Sequence, residues 1–259
     1  KSYKSMSEMK KLLPLIAIVL AGVTAAQTVD SPIPSIPATS DISSEQIEAA
    51  IQSVSASDGL DEETRADVTT LLRDAQSQID NRLAANAAAA AFAEELDSAP
   101  AETRRLREAL EQPAPEEPTA DSFGIRDDTA LDQIEQTLGR ELASLAASEV
   151  RLAELESQLE GETGRPAAAR ERITALRATR EALGALIASA PPPEEPTILS
   201  DARKLNAALK RDARSAELAR LEQELLSNSA RVDLLRARRD IAQRETTELR
   251  RRVEFLQQV

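Results

Sequence analysis

Carboxylates set side by side are the first residues in this chain with chemical potential: Glu62 with Glu63, Glu94 with Glu95, and Glu194 with Glu195. Two carboxyl groups sharing a pocket can divide into a general acid and a general base, or clasp a divalent cation together. Either role needs the side chains to converge in an enclosed space that retunes their ionisation. Adjacent positions on a helix point apart instead. These pairs therefore read as solvated faces. The sequence holds no His and no Cys, which excludes imidazole catalysis, thiolate metal sites, disulfides and histidine-based pH switching. Gly161 and Gly164 raise the question of a phosphate cradle, but their loop lacks the strand and the Lys that give such a loop meaning, so a helix turn is the plainer reading. No catalytic, cofactor-binding or metal-ligating residue is assigned, no cofactor is expected, and the chain is not read as an enzyme.

Arg236, Arg238, Arg239 and the trio Arg250, Arg251, Arg252 have a different chemistry, attraction to anionic lipid headgroups. Their alternative is a helix face neutralised by Asp240, Glu245, Glu248 and Glu254, and the sequence leaves both readings open. The basic residues alternate with acids and no aromatic platform accompanies them, so nucleic-acid binding is not expected.

The elements that must carry these residues are helices. Residues 216–259 contain neither Pro nor Gly and predict one long helix. Its apolar seam follows Leu218, Leu221, Leu225, Asn228, Val232, Leu235, Arg239, Ala242, Thr246, Leu249, Val253 and Leu256 in alternating steps of three and four, a coiled-coil stripe. Asn228 on that stripe either sets register with a partner or lies at the edge of the buried face, and the edge is favoured. Such a helix extends about 66 Å at ~1.5 Å per residue and cannot bury a stripe alone. Upstream, Leu131, Leu138, Leu145, Leu152 and Leu159 recur every seven residues, with Ile134 and Leu155 between them, predicting a helix over 128–160. The sequence around Gly161, Gly164 and Pro166 predicts a break there, so 128–190 is expected to fold back as an antiparallel helix pair.

Pro-rich punctuation divides the rest. Residues 27–42 form a Pro-rich linker, and 43–112 a first helical unit with a short helix ending at Ser57-Asp58-Gly59 and a second running through the alanines 87–91 to a kink or restart at Pro100. Residues 113–127 are a linker, 191–199 a Pro-rich linker, and 200–259 the terminal helical region. Aromatic residues make up 2% of the chain, which argues against a compact core and for packed rods. The net charge of −13 is uneven: residues 27–121 carry 20 acids against 6 bases, whereas 197–259 carry 10 against 14. The expected class is all-α, an elongated array of antiparallel helical hairpins and coiled coil ending in a long helix.

The N-terminal stretch has two lysines at 10 and 11, an apolar run over 12–23 and small residues up to Ala26, the pattern of a secretory signal cleaved after Ala26. Residues 1–26 are then upstream residues and signal peptide, and the mature chain is expected in a bacterial envelope compartment.

Three segments carry a family resemblance: FAEELDSAPAETRRLREAL at 92–110; Gly164-Arg165-Pro166 with Ala167 and Arg170; and ELARLEQELLSNSARVDLLRARRD at 217–240, continuing to Leu256-Gln257-Gln258. The chain resembles the N-terminal periplasmic coiled-coil "porin" region of the large MscS-type mechanosensitive channels, the family of MscK. The resemblance implies a periplasmic location as part of an inner-membrane protein, a downstream membrane domain of the same chain as partner, and a ring of identical subunits, heptameric in the MscS family. It also implies a structural or regulatory role in a channel that opens on osmotic downshock, with the pore outside this segment. Contact of the basic terminal helix with a membrane surface would fit the same setting. The alternative is a secreted coiled-coil scaffold or adaptor of the envelope without channel activity.

Overall fold

The computed structural model describes residues 42–259, which fall within one compact unit. The signal sequence, its cleavage at Ala26 and nearly all of the 27–42 linker lie outside the described residues. Four helices follow in order: α1 (Ser44–Ser55), α2 (Glu62–Glu111), α3 (Leu131–Ala188) and α4 (Thr197–Gln258), with a single 3-10 turn at Asp121–Phe123. No strand occurs among the described residues, so the all-α class holds.

Local chemistry starts the helices where polar side chains can cap them. Ser43 accepts from the Gln46 N–H while Gln46 Oε1 accepts from the Ser43 N–H, a closed capping box at the head of α1. Asp61 accepts from the Thr64 N–H at 2.9 Å and opens α2. Between them the Arg65 guanidinium donates to the carbonyls of Ser57 and Leu60, at 2.8 and 2.9 Å, and holds the turn. Helix α2 runs unbroken through Pro100, so neither a restart nor a chain reversal occurs there.

The longest helix, α4, is the axis of the fold. At 62 residues it extends about 93 Å, taking ~1.5 Å per residue. Helix α2 lies parallel to it: Asp74 meets Asn206, Glu95 meets Arg231 and Glu102 meets Arg238, partners a nearly constant distance apart in sequence. Helix α3 lies antiparallel: Arg172 meets Glu217, Arg165 meets Glu224 and Ser148 meets Thr246. The chain thus runs up α2, down α3 and up α4.

Three apolar clusters hold this arrangement. At the base, Ile42, Ile47, Ala50 and Val54 join Val68, Leu72, Ala75 and Ile79 of α2 and Ala202, Leu205 and Leu209 of α4. Further along, Ala169, Ile173 and Leu176 of α3 pack on Leu218 and Leu221, with Leu225 at the margin. Near the other end Leu155 meets Leu235 and Ala242, with Leu152 and Leu159 alongside.

The antiparallel pair expected within 128–190 does not form. Helix α3 continues for 58 residues through Gly161, Gly164 and Pro166, and the helix it pairs with is α4. A Cβ at Gly161 or Gly164 would meet nothing within 4 Å, so neither glycine serves a close backbone approach. Gly124, with φ of 67°, is the described glycine that needs its conformational freedom, ending the 3-10 turn.

Candidate functional site

Where the three long helices meet, α4 buries charged side chains at the edge of its apolar stripe, beside Leu225 and Val232. Arg231 has 9% of its side chain exposed, and Glu224 has 7%. Burying either charge is costly unless opposite charges surround it. Here they do. Arg231 Nη2 lies 2.8 Å from Glu162 Oε2 on α3, and Nη1 lies 3.5 Å from Glu95 Oε2 on α2. Arg165 of α3 bridges Glu162 and Glu224, both at 2.7 Å, and Arg220 reaches Glu224 at 3.1 Å. Arg220, Glu224, Arg165, Glu162, Arg231 and Glu95 therefore form a chain of six alternating charges across three helices.

Phe92 of α2 lies against this chain, its ring 4.5 Å from the Arg231 guanidinium carbon and 6.0 Å from that of Arg165. The ring face attracts both cations and helps to cover Arg231 from water, whereas Arg165 stays partly exposed. Burial opposes the charge on Arg165, but Glu162 and Glu224 outweigh it and hold the guanidinium more firmly protonated than in water. A cleft of about 660 Å³ lies elsewhere, between the 112–122 segment and α4; one of about 600 Å³ opens beside the charge chain, lined by Glu95, Glu162, Arg165, Arg231, Leu235 and Arg238 among others.

The same region explains how α3 passes Pro166. Proline has no N–H, so the carbonyl four residues earlier, at Glu162, loses its helical donor. Asn228 Nδ2 donates to that carbonyl at 2.9 Å. The seam asparagine is therefore not an idle edge residue. It supplies the hydrogen bond that the proline removes, and with Arg231 and Arg165 gripping Glu162 it keeps the helix continuous. We expect Asn228→Ala to cost about 1 kcal/mol, the usual net worth of such a bond plus part of the penalty for an orphaned carbonyl. In a Pro166→Ala background the same change should cost measurably less, because an alanine there restores the backbone N–H. Denaturant melts of the four proteins test this, and additive costs would remove the link.

The other seam residues are placed as follows. Leu218, Leu221, Val232, Leu235, Val253 and Leu256 are buried; Leu138, Leu145, Leu152, Leu159, Leu225 and Leu249 are half-buried. Leu131, the first residue of α3, is 68% exposed. It is not buried with the other seam residues. Of the acid pairs, Glu95 is drawn into the charge chain and Glu195 pairs with Arg203, while Glu62 and Glu63 sit exposed in the first turn of α2.

The arginines considered for lipid contact mostly meet carboxylates: Arg236 with Asp233, Arg238 with Glu102, Arg239 with Asp240, Arg250 with Glu149 and Arg252 with Glu141; Arg251 is exposed. Two polar features had no sequence signal beyond residue type. Arg244 donates to the carbonyls of Ala109, Leu110 and Pro113, at 3.2, 3.2 and 2.7 Å, and so caps the end of α2 from a different helix. Asp74 accepts from the Asn206 and Gln78 amides and faces Lys210 at 3.8 Å. Burial works against its ionisation, but these donors prevail and hold its carboxyl below the usual range.

Among the described residues no group of three or more potential ligands could hold a metal ion, and no helix is long and apolar enough to cross a membrane. What the arrangement does chemically is fasten three parallel-axis helices by charge. No curated protein and no solved structure matches the chain. Residues 50–259 match the family described as the mechanosensitive ion channel porin domain, a channel domain and not an enzyme class, and that span takes in all of α2, α3 and α4 with their shared charge chain. Covered by the match over most of its length, this chain belongs to the mechanosensitive ion channel porin domain family.

Proposed function

We propose that this chain is the periplasmic extension of an inner-membrane mechanosensitive channel that answers osmotic downshock, acting there as a structural or regulatory rod outside the pore. The observation that carries the reading is the family match over 50–259, laid on three long helices fastened side by side. A rod of this build transmits position and force along its length, since α2 and α3 both brace α4. Leu152 and Leu159 packing with Leu235, and Ala169, Ile173 and Leu176 packing on Leu218 and Leu221, serve that stiffness.

In this reading the lysines at 10 and 11 and the apolar run over 12–23 direct export, with cleavage after Ala26. A membrane domain of the same polypeptide is the partner, identical subunits form the ring, and Arg251 is the basic group of the last turns left to face a lipid surface. Assignment to the MscK branch belongs to the same proposal. Two measurements test it. The reading frame beyond Val259 should encode apolar runs of about 20 residues, the length a spanning helix needs. A stop codon directly after Val259 would overturn the channel reading in favour of an envelope scaffold. Mass analysis of the mature protein should find Gln27 at its N-terminus, and retention of the residues before it would overturn cleavage.

A further inference from the structure

The apolar clusters divide α2 into two unlike parts. Up to Ile79 the helix contributes Val68, Leu72, Ala75 and Ile79 to the base core. Beyond Ile79 it contributes nothing to any of the three clusters. Its buried residues there are Ala85, Ala99 and Thr103, and Leu83 is 56% exposed. The other two helices need no help from this part, because α3 and α4 form their own clusters.

What holds the distal part of α2 on α4 is a few small buried residues, Phe92 over Arg231, and ion pairs. Glu95 reaches Arg231, Glu102 reaches Arg238 at 2.9 Å and Arg107 reaches Asp233 at 4.0 Å, and the α2 member of each pair is at least 39% exposed. The Glu102 and Arg107 pairs are exposed on both sides and contribute little net stability, whereas Arg231 is buried. Pro100 also removes one helical hydrogen bond inside the segment. At the tip, Arg244 grips three carbonyls. Beyond it the chain is pinned again by Phe123, whose ring stacks on Phe255 at 5.8 Å with Arg252 over it at 5.2 Å.

We propose that α2 beyond Ile79 is a releasable arm: it pivots where the base core ends, is latched at its tip by Arg244, and swings off α4 while the base and the α3–α4 hairpin stay folded. Release opens the cleft between α2 and α3 and uncovers Arg231, Arg238 and Arg244. Arg231 and Arg238 lie on one side of α4 about 10.5 Å apart, and Arg244 follows about 9 Å further along the axis, at ~1.5 Å per residue. Arg231 keeps Glu162 in the open state, whereas Arg238 and Arg244 lose their α2 partners. The inference stands on packing alone and does not depend on the channel reading.

Native-state hydrogen exchange of the full chain tests it. Amides over 92–111 should exchange about 100-fold faster than those over 68–79 and 218–242, since local openings of lightly anchored segments cost far less than global unfolding. Arg244→Ala should speed exchange over 92–111 by a further factor of about ten, as expected from losing an anchor at the segment's free end, and leave the base unchanged. Glu102→Gln is a second, independent weakening with the same expected pattern. The chain has no cysteine, so a spin-label pair at Arg105→Cys and Gln243→Cys can report the arm directly. A second, longer distance population that grows with Arg244→Ala is expected. Equal protection of 92–111 and 68–79, or a single short distance in both proteins, would overturn the proposal.

Discussion

Leu205→Ala is expected to destabilise the protein by about 3 kcal/mol, the middle of the range for emptying a well-packed leucine site. Leu205 is fully buried and belongs to the cluster in which α1, α2 and α4 meet, with Ile47, Val54, Val68 and Leu72 around it. A cavity there is lined by three helices at once, and none can close it without moving the other two. The same truncation at Leu235 should cost about 2 kcal/mol, because that residue is 9% exposed in a smaller cluster and water can take up part of the space. Gln243→Ala, on the exposed side of α4, should fall within about 0.5 kcal/mol of the parent. Circular dichroism melts rank the three. If Leu205→Ala melted with Gln243→Ala, the base cluster would not be the anchor described here.

Arg231→Ala should cost about 2 to 3 kcal/mol. Breaking a buried ion pair costs more than the pair's net worth, because the remaining charge is left without a partner. Glu162 and Glu95 lose Arg231 together, but Arg165 still holds Glu162 at 2.7 Å, which keeps the loss at the lower end of the range. The cation over Phe92 is lost as well. Arg231→Met combined with Glu162→Gln should recover most of the stability, since an apolar side chain of similar volume beside a neutral amide leaves no stranded charge. Denaturant titration measures both proteins. A single mutant as stable as the parent would mean that the charge chain contributes nothing, and a double mutant no better than Arg231→Ala would assign the loss to shape instead of charge.

The two effects have different places in the molecule. The base cluster decides whether α1, α2 and α4 hold together, whereas the charge chain decides how all three long helices register halfway along. Apolar packing is indifferent to small axial shifts between alanine-rich helices. Paired charges are not, and six of them in alternation specify one axial setting.

Local pattern was enough for the helical class, though not for the continuity of α3 through Gly161, Gly164 and Pro166. Steps of three and four over 218–256, and of seven over 131–159, encode the period of a helix with one apolar side, and of the candidate helix starts, Ser43 or Ser44 and Asp61 or Thr64, the structure uses Ser43 and Asp61 as caps. The family resemblance was also legible, in segments that the match over 50–259 now covers. Neither source said which stripe meets which. A leucine seam accepts any other seam of the same period, so the expectation that 128–160 would fold back on 166–190 was as consistent with the pattern as the observed pairing with α4. Tertiary structure decided it. A long α4 offers α3 a continuous partner, and Asn228 and Arg231 repair the helix where Pro166 would end it. Leu131 shows the converse: its spacing is that of a seam residue, but burial needs a partner opposite, and it is 68% exposed. Periodicity is a property of the segment itself, whereas register, burial and paired charge are properties of two helices at once.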